Sequence, residues 1–566
     1  MRKLICDEKA LRRLMLLMLI GLSIKYIFVD FGIDAEFQIS MSYRLAKGDL
    51  MFREMWEAYQ MSAFLCAFFI KIYLFLFQST TGIVLYLQVI GVLIDVGIAF
   101  LLYKTVRKYM NCLNTAFAMA WLFVVVSPKD VPLPEYANME LWFSMLLCIT
   151  LFVYFQTGQK GMLVLSALCL CAAVLSYPSC LLLAAGAGCL FFRQRDKKNF
   201  LIFLSVCAAT GLLYLALTLS QLSGNEFLIF FENMLAIETS HAISLGAKLL
   251  AYLKDALKIA LLFGSAYLLS YLLVHKVIGE KLAEDRKTRK LLVDLFFYLL
   301  ILAVSLYATF AWVAHTRYGY SVLFLGIIVI GMRHRKELRE SQYDFYIIGT
   351  VISLLNFLAT LLLTDLQLIG SVPYLLIAAV VALLPIAEAL KAADGNHILT
   401  ALKKAALLCT VALLVFRNAY IIRPMYLQTN TIFDVGGVVK EGPAVGIFST
   451  YMGPYMQNET IKEWQEYIPD GSNVYLIGDP LDTLAYLYSD TNVAAPSTVC
   501  TPGYNENILK YWEMNPHKYP DVIVASCWYG ELNSALAENE WIMNWLEEEF
   551  QPAYSIDGKY WRYYFR

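Results

Sequence analysis

The sequence predicts a polytopic α-helical membrane protein of about 13 transmembrane helices, followed by a C-terminal extracytoplasmic α/β domain. Three observations carry this expectation. The 566 residues are 59% hydrophobic and 16% charged, where a soluble domain holds roughly 45–50% and about 25%. Apolar segments recur from Leu14 to residue 422. After residue 422 the composition turns to turn signals and short strand-like runs. The net charge of -1, with no basic tail, gives nucleic acid no footing as a partner.

The chain starts MRKLICDEKALRR, five Lys/Arg before the apolar run Leu14 to Val29. No small-residue cleavage site follows, so this reads as an uncleaved first helix with a cytosolic N-terminus. The polar loop 30–60 comes next, holding Asp34, Glu36, Asp49, Glu54 and Glu57 among Arg44, Lys47 and Arg53. Further apolar segments fall near 61–77, 82–103, 113–127, 139–156, 162–176, 179–192, 200–219, 250–274, 292–313, 319–332, 343–363, 371–390 and 404–422.

The connections sort by charge. The N-terminus and the loops at 104–111, 193–199, 275–290, 333–340 and 391–404 hold 25 Lys/Arg. The alternate loops at 128–138, 177–178, 220–248, 314–320 and 364–371 hold only Lys129, Lys248 and Arg317. The basic set is therefore cytosolic, and the sparse loops and the tail lie outside. Fourteen crossings would return the tail to the cytosol. One segment within 61–103 is thus expected not to cross fully, or to merge with its neighbour.

Domains are expected at 1–422 and 423–566. In the second, 474–478 and 521–526 read as buried strands, and 481–488, 506–513 and 533–550 as helices between them. Most of the twelve cysteines sit in apolar segments as small hydrophobes. Cys500 and Cys527 lie in the tail, and spacing leaves a disulfide between them open.

Asp34-Ala-Glu36 opens a stretch with apolar residues Phe37, Met41 and Leu45 at helical spacing. This predicts a short helix on the membrane surface. Asp34 at its N-terminus would stay ionised in the helix dipole and could serve as a general base for a hydroxyl. A solvated N-cap acid is the competing reading.

A first helix, an outer loop with an acidic pair, then Ala46-Lys47-Gly48-Asp49 before the next helix resembles the C superfamily of membrane glycosyltransferases (GT-C). Within it the chain is most similar to the protein O-mannosyltransferase and aminoarabinose-transferase branch. Thr316-Arg317-Tyr318-Gly319-Tyr320 resembles that branch's outer R-Y motif. Ser127-Pro128 followed by Asn138-Met139-Glu140 is a third match. Two features depart from the pattern: no Pro-Pro stands before the second helix, where Glu54-Met-Trp-Glu57 is found, and the acidic pair is D-x-E.

The resemblance implies a sugar transferred from a polyprenyl-phosphate donor to an unidentified acceptor hydroxyl at the outer face, with inversion. Asp34 would be the base and Glu36 would position the acceptor or a metal. Arg317, with His315 as a weaker partner, would meet the donor phosphate. Tyr318, Glu57 and Glu140 are further candidates for substrate binding. No cofactor is certain; a spaced acidic pair leaves a divalent cation open. Competing readings are a membrane anchor for Arg317, a loop-edge histidine for His315 and a helix-dipole partner for Glu140.

Elsewhere outside, Lys129-Asp130 and Glu135 lie in a Pro-rich loop. The run FLIFFENMLAI in 220–248 reads as a connector, with a second surface helix as the alternative. Asn458-Glu-Thr460 is a formal glycosylation sequon. Trp541, Trp545, Trp561 and the run 560–565 read as core packing and a last strand before sugar stacking. The rivals are a polytopic transporter or lipid flippase, and a non-catalytic protein whose tail binds a partner. Intramembrane charge is sparse (Lys25, Lys71, Asp95, Glu388), which disfavours the transporter. So many helices exceed what an anchor needs.

Overall fold

The computed structural model describes residues 8–57, 59–126, 131–240, 244–278, 286–311, 317–364, 366–391, 397–422, 431–450, 452–477, 480–499, 505–528, 531–532 and 540–566. The chain opens with α1 (Glu8–Phe28), α2 (Ile33–Lys47), α3 (Ala63–Phe77), α4 (Ile83–Met110) and α5 (Leu113–Val125). After an irregular strap come α6 (Tyr136–Thr157), α7 (Lys160–Ser176), α8 (Leu182–Arg193), α9 (Lys197–Leu219) and α10 (Gly224–Ser240). The bundle is completed by α11 (Leu245–Leu272), α12 (Arg286–Ala311), α13 (Arg317–His334), α14 (Glu340–Leu363), α15 (Leu376–Lys391) and α16 (His397–Tyr420).

Among the described residues, nine helices are long and apolar enough to cross a membrane. The chain is an integral membrane protein of the polytopic helical kind. Outward leucines agree: Leu212 of α9 is 66% exposed and Leu253 of α11 is 67% exposed, a face that only lipid covers at low cost. Inside, small residues let helices approach closely. A Cβ at Gly349 of α14 would meet Val381 of α15 at 2.5 Å, and one at Gly331 of α13 would meet Ala382 at 2.7 Å.

The two ends of the bundle differ. At one end, Asp294 of α12 pairs with Arg333 and His334 of α13, each at 2.8 Å. Arg193 meets Asp344 at 2.7 Å, and Arg12 donates to Asn114. The basic connections collect here. The other end carries the α/β region. There β1 (Val435–Val438) and β2 (Phe448–Thr450) form an antiparallel pair. Helix α17 (Met452–Tyr467) leads to β3 (Asn473–Ile477) and β4 (Asn492–Val493), and α18 (Asn505–Met514) to β5 (Val522–Trp528) and β6 (Glu531–Leu532). Helix α19 (Glu540–Trp545), β7 (Tyr554–Asp557) and β8 (Trp561–Phe565) finish the chain.

The sheet order is β4-β3-β5-β8-β7, with β6 also on β5. Strand β3 runs parallel to β4 and β5, while β8 is antiparallel to β5 and β7. Both predicted strands are present, and 560–565 supplies the last one. The predicted helix at 481–488 winds instead as 3-10 turns over Pro480–Leu487. Of the helix expected at 533–550, residues 533–539 lie outside the described part. Cys527 is buried with its thiol 3.9 Å from the Gly558 carbonyl oxygen; Cys500 lies outside the described residues.

One early helix differs from expectation. Helix α2 forms where predicted but does not lie on a membrane surface: Ala35, Glu36 and every residue from Gln38 to Arg44 are buried. The Ser40 hydroxyl donates to the Thr483 carbonyl at 2.7 Å, so the α/β region covers it. Helix α3, within the range 61–103, is buried on one face and exposed on the other. Its stripe Ala63, Cys66, Ala67, Ile70 and Tyr73 is buried, while Phe68, Phe75, Leu76 and Phe77 are exposed by 57–79%. Both of its ends lie at the α/β side. Before it, Ser62 donates to Gln38 of α2 at 3.0 Å. After it, Thr80 donates to the Leu487 carbonyl at 2.7 Å and Gly82 N to the Gly442 carbonyl at 3.1 Å.

Arg44 fastens the loop to the tail. Its side chain is 1% exposed and meets Asp49 at 2.9 Å and Glu57 at 3.1 Å, and it donates to the Glu54 carbonyl. Asp49 also takes Lys518 at 2.6 Å, and Glu57 accepts from Thr498 N at 3.1 Å. Tyr511 donates to the Glu54 carbonyl at 3.0 Å, and Trp56 N to the Pro496 carbonyl at 2.8 Å. Arg44→Ala strands Glu57 as a buried acid and leaves Asp49 with Lys518 alone, so it is expected to cost about 3–5 kcal/mol. Thermal unfolding of the purified chain, with protease sensitivity of the tail as a second readout, checks this; an unchanged transition refutes the clamp.

Candidate functional site

The site is built where the N-termini of α2 and α6 meet. Gly32 is the N-cap of α2, which puts Asp34 in its first turn. Glu135 is the N-cap of α6, with Tyr136 next to it. Gln38, one turn on from Asp34, accepts from Tyr136 N at 3.3 Å and from Ser62 at 3.0 Å. Asp34 and Glu135 both lie within electrostatic reach of the Tyr136 hydroxyl. Two helix dipoles thus point their positive ends at one corner, which favours negative charge there.

Aromatic rings form the wall. Tyr59 stacks on Tyr136 at 5.0 Å and on Tyr177 at 5.4 Å, and Tyr136 lies 6.0 Å from Tyr177. Tyr374, in the turn before α15, reaches Tyr136 and Tyr177. Glu140 sits one turn into α6, fully buried beside Tyr177 and Cys180. The strap before α6 is held by Asn138, whose amide donates to the Val131 and Leu133 carbonyls at 2.7 and 3.0 Å. A Cβ at Gly91 of α4 would strike the Pro132 carbonyl oxygen at 2.1 Å, so only glycine lets this strap lie so close.

The sequence candidates part company here. Asp34 is half-buried and faces the tyrosine corner. Glu36 does not join it: residues two apart on a helix point to nearly opposite sides. Glu36 shares its face with Ser40, which bonds the 480–487 segment. Among the described residues no group of three or more His, Cys, Asp or Glu side chains is arranged to hold a metal. Glu57 belongs to the Arg44 clamp. Burial pushes its carboxyl above the ordinary range, against the pull of Arg44 and the Thr498 amide.

Arg317 is the first residue of α13, at the same end of the bundle; its side chain and that of Tyr318 are outside the description, as is all of His315. Lys129 and Asp130 also fall outside it. Within the 220–248 segment, Gly224–Ser240 form helix α10. Its Phe230 packs edge-on to Phe52 at 5.0 Å, and Glu226 lies 3.9 Å from Arg53. Trp545 and Trp561 are buried core residues.

Sequence reasoning missed the four tyrosines and Arg417. Arg417 is buried near the C-terminal end of α16, stacked 3.8 Å over the Tyr320 ring. It donates to the Tyr320 hydroxyl at 2.6 Å and to Asn418 at 3.1 Å. An Arg-Asn pair closing an otherwise apolar segment was the available signal. Chemically, the corner offers an acid able to accept a proton and phenolic rings for a polyol face.

No family model matches this sequence, and no curated protein matches it. Asn138→Ala removes both bonds that hold the strap and is expected to destabilise the chain by about 1–3 kcal/mol. The midpoint of thermal unfolding checks this, and an unshifted midpoint refutes the strap's anchoring role.

Proposed function

We propose that this chain is a membrane glycosyltransferase similar to the GT-C protein O-mannosyltransferase and aminoarabinose-transferase branch. It moves a sugar from a polyprenyl-phosphate donor to an acceptor hydroxyl at the outer membrane face. The reading is carried by one observation: Asp34, in the first turn of a covered helix, beside a tyrosine-walled corner beneath the α/β region.

In this reading Asp34 takes the proton of the acceptor hydroxyl, whose oxygen bonds to the anomeric carbon from the face opposite the lipid phosphate. The anomeric carbon–oxygen bond to phosphate breaks, and the configuration inverts. Arg317, with His315, meets the leaving phosphate, and Arg417 adds a second cation at that end of the bundle. Tyr59, Tyr136 and Tyr177 bracket the sugar, and Tyr318 and Glu140 border it. Ser40, on the Glu36 face, seats α2 against the tail.

The topology that goes with this has thirteen crossings, a cytosolic N-terminus and an extracytoplasmic tail. Helix α3 supports it, because both of its flanks bond groups on the α/β side. It lies in the outer leaflet with Phe68 and Phe75 in lipid, and the remaining alternation then brings the tail outside. A transporter or flippase is the second reading. It is favoured by Asp95 and Glu140, carboxyls enclosed within spanning helices; Asp95 accepts from the Trp142 indole at 2.5 Å.

Two experiments test these statements. Radiolabelled sugar from polyprenyl-phosphate donors should pass to acceptor in membranes holding the wild type, and Asp34→Asn should lower the rate about 10²–10⁴-fold with the fold intact. Undiminished transfer by the variant overturns the base assignment, and no transfer from any donor overturns the enzyme. Separately, Ser79→Cys in a chain lacking other reactive thiols should be labelled by an impermeant maleimide from outside intact cells. Protection until the cells are opened would make α3 a crossing helix.

A further inference from the structure

At the end of the bundle far from the α/β region, α1, α4 and α5 border a cavity of about 310 Å³. Its lining has two halves. Lys9, Arg12 and Arg13 make one; Leu16, Tyr103, Leu113 and Phe117 make the other. The α1 positions 9, 12, 13 and 16 follow i, i+3, i+4, i+7, so one helix face carries three cations above an apolar step.

The polar half is partly fixed in place. Arg12 donates to the Asn114 side-chain oxygen at the start of α5, and Asn114 donates to Glu8 at 2.7 Å. Arg13 is exposed. Lys104, Arg107 and Lys108 follow on the last turns of α4, so the rim is strongly basic despite Glu8. The apolar half runs on into an outward surface: Leu16 is 46%, Leu17 67%, Ile20 56% and Leu113 41% exposed.

A small soluble anion would engage the cations and leave the apolar half unused. A molecule with a phosphate head and an acyl tail engages both. We infer that this cavity binds one anionic phospholipid, its phosphate among Lys9, Arg12 and Arg13 and one chain along Leu16 and Phe117. Basic pockets between membrane helices hold such headgroups by charge, while the long cationic side chains reach to the interface. The inference does not depend on the glycosyltransferase reading.

Native mass spectrometry of the full chain in mild detergent tests it, with phosphatidylglycerol and phosphatidylcholine as probes. The wild type should retain phosphatidylglycerol in preference to phosphatidylcholine. Lys9→Gln with Arg13→Gln keeps the Arg12–Asn114–Glu8 bonds and should weaken phosphatidylglycerol binding roughly 30-fold, with lipid-free thermal unfolding unchanged. If the double variant unfolds early, Arg13→Gln alone replaces it, with a loss of roughly 5-fold expected. Equal retention of both lipids by wild type, or undiminished phosphatidylglycerol binding by the variants, overturns the inference. Displacement of the lipid by equimolar inorganic phosphate would do so as well, marking a site for a soluble anion.

Discussion

The fold of this chain depends on a buried guanidinium. Taking Arg44 out of water costs several kcal/mol, which only close opposite charges with good geometry can offset. Burial works against its charge, but the Glu57 and Asp49 carboxylates outweigh that and hold it charged. Those acids come from the same loop, so the loop is neutralised locally. The tail then adds Lys518 to Asp49 and the Thr498 amide to Glu57. Sequence positions more than 400 apart thereby share one electrostatic unit. Because Arg44 sits in α2, the unit also sets where Asp34 and Gln38 lie, and through Gln38 it reaches the first turn of α6.

The membrane part is held differently. Its helices gain little from the hydrophobic effect against one another, since lipid is as apolar as their side chains. Close approach at Gly331 and Gly349 and polar joins such as Asn356 to Ser144 at 2.7 Å do that work. Ion pairs cluster where the helices leave the apolar layer. The polar loop and α/β region form a second, wetter body of structure on one end. The tyrosine corner lies on the seam between the two, where a ligand with a lipid part and a polar part would find both environments.

Much of the helical part was legible because its signal is one-dimensional. A span needs a run of apolar residues, and each predicted segment overlaps a helix, with ends up to seven residues apart. Charge sorting likewise needs only composition. What failed needed partners distant in sequence. The 34–45 stretch reads as a surface helix because its polar residues have no visible covering; Thr483 and Pro496 supply that covering from the tail. At the site, Asp34 stood out as an acid at a helix start, whereas Tyr59, Tyr136, Tyr177 and Tyr374 come from four separate segments and share no spacing. Arg417 was concealed in a helix that reads as a plain span.

The loop-to-tail clamp also imposes an order in time. Residues 30–60 leave the ribosome about 450 residues before the segment around Lys518. At about 5–20 residues per second, the loop waits roughly 20–90 s for the surface that will cover it. During that interval Trp56 and the apolar face of α2 are bare. The carboxylates carried within the same thirty residues keep Arg44 matched in the meantime, so nascent chains have a self-neutralised docking face ready when the last quarter of the protein emerges. Truncated or stalled products would leave that face permanently open, a ready mark for quality control at the membrane.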